Sequence, residues 1–240
     1  MVEDAAQAHG SVYRGRRAGA MSLFSVFSFY IAHNIQAGEM GAFNTDDDEL
    51  CRLVRSIKAN GRVCDCAECT RRDGVCPHAA GDGDDRDPRF THTLVGYNFK
   101  TMEFPAALAV SQIAKADEIR RARQRNVRLL CERLSRYEDI LQLPLIDDGV
   151  SYLAFPIVLR DQRSVSRKVL RQRLEEYGVE TRPLFGCIPI QQPAYAHLRA
   201  QYEGRLPVAE YVGRNGFYIG CHQYLTDEDI AWIGEAFDRA

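Results

Sequence analysis

The sequence lacks a long apolar stretch, an excess of charge of either sign, and the features of an export signal. No run of 18 or more apolar residues occurs in the 240 residues, so no membrane-spanning helix is expected. The 31 basic and 33 acidic residues give a net charge of -2, which argues against bulk electrostatic binding of nucleic acid or an anionic membrane. The N-terminal segment MVEDAAQAHG has neither the basic nor the apolar region of a signal peptide, so we expect a cytoplasmic protein.

Hydrophobic spacing and cap residues predict most of the secondary structure. Residues 22–30 are aromatic and β-prone and predict a buried strand. The aspartates at 46–48 are typical of a helix start, and Gly61 of its end. One long helix is expected over residues 105–137, as a connector between two domains. The predicted elements of the last third are a strand at 151–160, a helix at 167–177 closed by Gly178, a strand at 216–220, and a helix capped by Thr226 and Asp229.

Four of the eight cysteines lie in one glycine-rich, acidic loop at 61–92. They are Cys64, Cys66, Cys69 and Cys76. Because a cytoplasmic chain has little use for structural disulfides, this clustering favours a metal centre, either tetrahedral zinc or a [2Fe–2S] cluster. The alternative is that these thiols stay reduced and unliganded. The other four, expected to be packing residues, are Cys51, Cys131, Cys187 and Cys221.

Four segments together resemble one enzyme family. They are VEDAAQAHGSVYRGRRAG at 2–19, SFYIAHNIQAGEMGAF at 28–43, GYNFKTMEFPAALAVSQIAKAD at 96–117 and ETRPLFGCIPIQQPAY at 180–195. They resemble the DegT/DnrJ/EryC1/StrS family of sugar aminotransferases and dehydratases, which use pyridoxal phosphate (PLP). The resemblance covers nearly the whole chain and implies an α/β, fold-type I PLP-dependent transferase. It divides the chain into a partial PLP-binding large domain at 1–118, with the cysteine-rich loop, and a connecting helix and small C-terminal α+β domain at 119–240.

The resemblance assigns cofactor contacts to four residues. PLP acts as an electron sink while its pyridine nitrogen stays protonated, and Asp4 of the ED-x-A-Q motif would hold that proton. Gln7 would bond the phenolic oxygen, and Ser28 would bind the phosphate. Asn98 of the GYN motif would reach the phosphate of a neighbouring subunit's cofactor, which implies a homodimer. Taken singly, Asp4 also suits a helix cap, Gln7 a surface and Asn98 a turn.

The chain departs from the aminotransferase pattern at His33. The aminotransferase members have a lysine there, which forms the internal Schiff base, whereas the nearest downstream lysine in this chain is Lys58. The family's 3-dehydratases of nucleotide-linked 4-keto-6-deoxyhexoses have histidine in that position. Their histidine takes a proton from the cofactor–substrate adduct, and the C3 hydroxyl leaves. We therefore expect His33 to be the catalytic acid and base; the alternative is an inactive remnant in which the imidazole only fills space.

The cysteine loop is similar to that of one dehydratase branch, which acts on CDP-4-keto-6-deoxyglucose. That branch carries a [2Fe–2S] cluster that passes single electrons to a PLP-bound intermediate, which implies a flavin or iron–sulfur reductase as partner. One ligand of that branch falls where this chain has Ala5 and Ala6, and the last cysteine of the branch lies two residues closer to the C-x-C pair than Cys76 does. Either Cys69 replaces the missing ligand, or the loop holds zinc and is structural.

Two further residues are candidates for substrate contact. Arg182 suits recognition of a substrate anion, with a surface salt bridge as the alternative, and His222 could line the site from the small domain.

The combined prediction is PLP-dependent 3-dehydration of a nucleotide-linked 4-keto-6-deoxyhexose in deoxysugar biosynthesis, with PLP or pyridoxamine phosphate as cofactor. Alternatives are a sugar-modifying member with another reaction, and a non-catalytic paralogue acting in dimerisation or metal binding. Full family members carry a long segment before the strand that starts here at Val2, including the turn that cradles the cofactor phosphate. We therefore expect the chain to be the rear part of a larger protein.

Overall fold

The computed structural model describes residues 1–64, 66, 68–74, 76–78, 86–163, 165–184 and 192–240. These residues form two compact units, one from Met1–His9 and Tyr13–Ala114 and the other from Gly10–Val12 and Lys115–Ala240. No helix within these ranges is both long and apolar enough to cross a membrane. Cys187, predicted to be a packing residue, lies outside the described residues.

The first unit contains a three-stranded sheet. Its strands are β1 (Val2–Asp4), β4 (Phe24–Ser28) and β5 (Gly41–Asn44), while β2 (Val12–Tyr13) and β3 (Arg16–Arg17) pair separately. The central strand β4 runs parallel to β1 and antiparallel to β5. The strand predicted at 22–30 is therefore confirmed, although it is shorter than the apolar segment and, apart from the buried Ser25, is only half-buried.

Helix α1 (Asp48–Lys58) begins where the aspartates predict it. The Asp47 carboxylate accepts hydrogen bonds from the backbone N–H groups of Glu49 and Leu50, both at 2.9 Å, which satisfies two otherwise unpaired helix donors. Gly61 follows the helix with a φ of +74°, and a Cβ there would lie 1.9 Å from the carbonyl oxygen of Leu94. Only glycine fits this close approach.

The single helix predicted over 105–137 is wrong, because the chain forms two helices, α2 (Glu103–Ile113) and α3 (Ala116–Leu134). The break between them falls where the first unit ends and the second begins. No proline or glycine marks it in the sequence, so the pattern carries no local signal for it. The two helices also differ in burial: α2 exposes apolar side chains such as Phe104 and Val110, whereas α3 buries Val127 and Leu130.

The second unit is built on a four-stranded antiparallel sheet. Its strands are β6 (Leu141–Gln142), β7 (Phe155–Leu159), β8 (Thr181–Pro183) and β9 (Gly216–Ile219), in the order β6-β7-β9-β8. Its helices are α3, α4 (Arg167–Glu176), α5 (Arg199–Tyr202), α6 (Pro207–Asn215) and α7 (Asp227–Arg239). Apolar side chains of the sheet and of α3, α4 and α7 form one buried cluster, whose central members are Leu130, Phe155, Leu174, Phe217 and Ile230.

Local signals located two of these helix ends correctly. Helix α4 is followed by Gly178 at a φ of +79°, the left-handed conformation that glycine adopts at little cost. The N-terminus of α7 is a capping box, in which the Thr226 hydroxyl accepts from the Asp229 N–H at 3.1 Å and the Asp229 carboxylate accepts from the Thr226 N–H at 2.8 Å. Aspartate thus replaces the usual glutamate in this cap.

Candidate active site

The carboxyl ends of the parallel strands β1 and β4 lie side by side. Asp4 pairs with Val26, and beyond that pair the Ala5 N–H donates to the Val26 carbonyl at 3.0 Å. The Ser28 N–H then donates to the Ala6 carbonyl at 3.3 Å. The residues that follow β1 are therefore held against the end of β4, and this edge of an α/β sheet is where ligands commonly bind.

His33 stands in the turn that follows β4 and contacts residues from both strand ends. Its Nδ1 lies 3.2 Å from the Ser28 carbonyl oxygen, and its Nε2 lies 3.5 Å from the Gln7 amide nitrogen. Because a carbonyl oxygen only accepts, Nδ1 carries the proton in this contact, and Nε2 of the neutral ring bears the lone pair. The Gln7 amide faces that lone pair, so Nε2 is the nitrogen that can accept a proton.

The turn around His33 is itself fixed by backbone hydrogen bonds. The His33 N–H donates to the Tyr30 carbonyl at 2.9 Å, and the Ala37 N–H donates to the Phe29 carbonyl at 2.8 Å. The Tyr30 ring meets the imidazole edge-on, with 5.6 Å between ring centroids. These contacts hold the half-buried imidazole in one orientation.

Asp4 and Ser28 supply two more polar groups at this edge. The Asp4 side chain is exposed, and one of its oxygens accepts from the Ala6 N–H at 3.2 Å. The Ser28 hydroxyl accepts from the Tyr30 N–H at 3.3 Å. A carboxylate suits the protonated ring nitrogen of PLP, a carboxamide suits its phenolic oxygen, and a hydroxyl suits its phosphate. The polar groups at this edge therefore fit that cofactor.

A second histidine, His9, belongs to the same cluster and was not singled out from the sequence. Its ring packs against Phe27 and Phe29, with centroid separations of 5.1 and 5.0 Å. Burial and the nearby His33 lower the pKa of His9 to about 4, while the Asn34 side chain acts in the opposite direction. His9 is therefore neutral near pH 7.

Asn98 lies in a different part of the first unit. It forms an isolated bridge with Ala59 just after α1, and the Phe99 N–H donates to the Lys58 carbonyl at 2.9 Å. Its exposed side chain accepts a hydrogen bond from the Lys100 ammonium. Within the described parts of the chain, no hydrogen bond or ion pair joins Asn98 to Gln7, Ser28 or His33.

The cysteine loop is organised by an acidic residue. The Asp87 carboxylate pairs with Arg71 at 3.1 Å and with Arg89 at 2.6 Å, and these contacts hold the pKa of Asp87 well below its usual range. Asp87 raises the pKa of the Arg89 guanidinium, and the nearby Cys69 and Cys76 act in the same direction. Among the described residues, no three His, Cys, Asp or Glu side chains are grouped so as to hold a metal ion.

The two candidate substrate residues belong to the second unit. Arg182 of β8 is exposed and pairs with Glu180 at 2.7 Å, as the salt-bridge alternative predicts. His222 is exposed after β9, next to the Tyr224 ring at a centroid distance of 6.1 Å. The structure brings together Gln7, Ser28 and His33, with Asp4 nearby. The other candidates, Asn98, Arg182, His222 and the four loop cysteines, make separate local contacts.

Comparison with known proteins places the whole chain in one family. The profile of the DegT/DnrJ/EryC1/StrS aminotransferase family matches residues 1–238. A dTDP-4-dehydro-2,6-dideoxy-D-glucose 3-dehydratase from Saccharopolyspora spinosa is 34% identical over 241 residues, which cover 98% of this chain and 52% of that protein. The chain therefore spans about half the length of this relative.

Solved structures give the same fold for two different activities. The GDP-4-keto-6-deoxy-D-mannose-3-dehydratase of E. coli, with bound hydrated PLP, matches with a TM-score of 0.81 and 23% identity over 98% of this chain and 59% of its own. An aminotransferase from Psychrobacter cryohalolentis also matches with a TM-score of 0.81 and 23% identity, over 99% of this chain and 60% of its own. Because the two scores are equal, the choice between reactions depends on individual residues.

Proposed function

Because the chain belongs to the DegT/DnrJ/EryC1/StrS aminotransferase family, we propose that it carries out PLP-dependent 3-dehydration of a nucleotide-linked 4-keto-6-deoxyhexose in deoxysugar biosynthesis. Its similar proteins include both sugar 3-dehydratases and aminotransferases, so membership alone leaves the reaction open. The observation that carries the proposal is His33, an imidazole in the position where the aminotransferases have lysine, with Nε2 oriented as a base.

Of the residues at the strand ends, three would bind the cofactor and one would transfer a proton. Asp4 would keep the cofactor's ring nitrogen protonated, Gln7 would bond its phenolic oxygen, and Ser28 would bind its phosphate. When bound, PLP or pyridoxamine phosphate supplies an electron sink for charge that develops on the sugar. His33 accepts a proton at Nε2 and, once protonated, returns it to the departing C3 hydroxyl, which leaves as water.

Ser28 and Gln7 also determine which ring nitrogen of His33 exchanges a proton. The Ser28 carbonyl fixes the proton on Nδ1, so that Nε2 remains the site of exchange. The Gln7 amide can stay in contact with the ring before the proton arrives, since its nitrogen donates to the lone pair. After protonation both ring nitrogens are donors, so the Gln7 contact weakens and Nε2 is free to pass its proton onward.

A product assay tests the proposed reaction directly. The purified protein would be incubated with pyridoxamine phosphate and a nucleotide-linked 4-keto-6-deoxyhexose, and the sugar analysed by mass spectrometry and NMR. We expect a product that has lost the C3 hydroxyl and gained no nitrogen. A product with nitrogen at C4 and the C3 hydroxyl intact would instead identify an aminotransferase.

The aminotransferase alternative rests on the shared fold and is opposed by the sequence around His33. Ordinary transamination requires a lysine amine at this position, and the chain has no lysine before Lys58, which is exposed at the end of α1. A non-catalytic role in dimerisation or metal binding would be favoured if the protein bound neither cofactor nor sugar.

We propose separately that the cysteine loop binds a metal centre. It is supported by the spacing of Cys64, Cys66, Cys69 and Cys76, with [2Fe–2S] and zinc as the candidates. Protein prepared without oxygen is expected to contain iron and sulfide, and Cys69→Ser should lower both, whereas Cys131→Ser in the second unit should not. Stoichiometric zinc without iron would contradict an electron-transfer role and remove the need for a reductase partner; metal-free protein would contradict both metals.

We also propose that the protein acts as a homodimer. The Asn98 side chain is exposed, as a residue that reaches a neighbouring subunit's cofactor has to be. Helix α2 also exposes apolar residues, including Phe104, Leu108 and Val110, of the kind that subunit interfaces cover. Sedimentation of the purified protein at several concentrations tests this assignment.

A further inference from the structure

A cavity of about 650 Å³ opens at the edge of the four-stranded sheet in the second unit. Its lining comes from α3, from the turn after that helix, from the edge strand β6 and the segment that follows it, and from the end of β7. All of these elements belong to the second unit. Because its volume lies in the range of small-molecule sites, this cavity can hold a ligand within one unit.

Arg160, which follows β7 and lines the cavity, is an exposed arginine whose position is fixed by its neighbours. Its backbone N–H donates to the Ile140 carbonyl at 2.8 Å, its side-chain Nε donates to the Glu138 carbonyl at 2.7 Å, and its own carbonyl accepts from the Tyr211 hydroxyl at 2.6 Å. Among the described residues, no hydrogen bond or ion pair engages the two terminal nitrogens of this guanidinium. The guanidinium is therefore oriented in advance, with its outer donors available to a carboxylate.

The Glu138 side chain lines the same cavity and carries the opposite charge. Within the described ranges of the chain its carboxylate has no hydrogen-bond or ion-pair partner, and it does not pair with Arg160. Its charge reaches the thiol in the cavity wall, since burial raises the pKa of Cys131 and the carboxylates of Glu138 and Glu132 act in the same direction. The cavity therefore presents a cation and an anion that can each take a ligand group.

An apolar wall, formed by residues 143–146 (LPLI), completes the lining. Leu145 is 91% exposed and Ile146 is 49% exposed. The Cys131 thiol lies 3.8 Å from the Pro144 carbonyl oxygen and joins this segment to α3. An exposed run of four apolar residues is unfavourable in water unless a ligand or a partner covers it. The wall therefore suits the apolar part of a small molecule.

We propose that this cavity binds a free α-amino acid with an apolar side chain. Arg160 takes the carboxylate through its outer N–H groups, Glu138 accepts from the ammonium group, and the apolar wall covers the side chain. An α-amino acid carries both charges on one carbon, so a single small molecule can pair with two side chains that do not pair with each other. A ligand with one charge leaves the other side chain without a partner. No residue of the cavity takes part in the proposed dehydration, so the two proposals stand or fall separately.

Calorimetric titration of the whole protein with L-phenylalanine tests the binding. Two analogues separate the contributions of the charges, because 3-phenylpropanoate has no ammonium group and 2-phenylethylamine has no carboxylate. Each analogue should bind at least about tenfold more weakly than phenylalanine, since each loses hydrogen bonds to a charged group. Equal affinity of either analogue would contradict the pairing of both charges. No binding at about 10 mM phenylalanine, which would fill a site with a Kd of about 1 mM, would overturn the proposal.

Variants of the two charged residues connect the binding to this cavity. Arg160→Gln and Glu138→Gln should each weaken phenylalanine binding roughly ten- to hundredfold, since each removes one charged partner. Arg163→Gln is the control for the first, because Arg163 is exposed and pairs with Asp161 at 2.8 Å. Glu132→Gln is the control for the second, because Glu132 is exposed on α3 and is not part of the lining. Both controls should bind phenylalanine as the wild type does.

Glu138→Gln also decides the matter if Arg160→Gln does not fold. It keeps the backbone carbonyl that accepts from Arg160, so the guanidinium stays anchored while the carboxylate charge is lost. Wild-type affinity in Glu138→Gln would show that the ammonium group binds elsewhere, and the proposal would be wrong.

The half-buried Cys131 thiol reports occupancy of the cavity in the wild-type protein. Alkylation with N-ethylmaleimide, followed by peptide mass spectrometry, gives its rate of reaction with and without phenylalanine. A ligand in the cavity should slow the alkylation of Cys131 severalfold and leave that of Cys51, a half-buried cysteine of α1 in the first unit, unchanged. Saturation with phenylalanine that leaves the rate at Cys131 unchanged would contradict the location of the site.

Discussion

Replacing His33 with lysine is expected to give a protein that forms a covalent bond with PLP, which the wild-type imidazole cannot form at this position. The side chain at position 33 lies between Gln7 and the Ser28 carbonyl, beside the proposed contacts of the cofactor's phenolic oxygen and phosphate. An amine there could condense with the cofactor's aldehyde, as the lysine of the aminotransferases does. Borohydride reduction followed by peptide mass spectrometry should find the cofactor on the new lysine.

Two further variants make this experiment decisive. Ile31→Lys introduces an amine at an exposed position of the same turn, 59% exposed in the wild type, and should not be labelled to the same extent. His33→Asn keeps a polar side chain but cannot take up a proton, so dehydration should fall by about 10²- to 10⁴-fold while cofactor binding persists. Labelling of wild type at another residue, or equal labelling of the Ile31 variant, would show that His33 has been placed wrongly.

Leu130→Ala is expected to cause a large loss of stability in the second unit. Leu130 is 0% exposed and belongs to the buried apolar cluster formed by α3, the sheet, α4 and α7. Truncation removes buried methyl groups and leaves a cavity, which together should lower the free energy of unfolding by about 2–5 kcal/mol. Leu145→Ala is the matched control, because Leu145 is 91% exposed and its truncation should change stability by less than about 0.5 kcal/mol.

The single tryptophan of the chain gives a specific measurement for this pair. Trp232 lies on α7 and donates from its indole nitrogen to the Tyr177 carbonyl at 2.9 Å, so its fluorescence follows unfolding of the second unit. Urea titration should shift the midpoint for Leu130→Ala and leave it nearly in place for Leu145→Ala. Equal shifts would mean that the apolar cluster is not the core that stabilises this unit.

The sequence by itself determined the features that depend on neighbouring residues. Asp47 capping α1, the Thr226–Asp229 capping box and the glycine after α4 are short-range patterns, and each is found where it was predicted. The family was also legible from sequence motifs, and the family profile over residues 1–238 confirms it. Such signals are local because one or two residues fix the backbone conformation involved.

The tertiary structure decided which residues meet and which are buried. The contact between Gln7 and His33, which lie 26 positions apart in the sequence, depends on the parallel pairing of β1 with β4. The break between α2 and α3 coincides with the boundary between the two units, and no proline or glycine in the sequence marks it. In the sequence, nothing distinguishes Arg123 from the solvated arginines of the same helix. Its burial follows from the position of its face against the loop segments at 152–153 and 221–223, a long-range packing relation that no local pattern encodes.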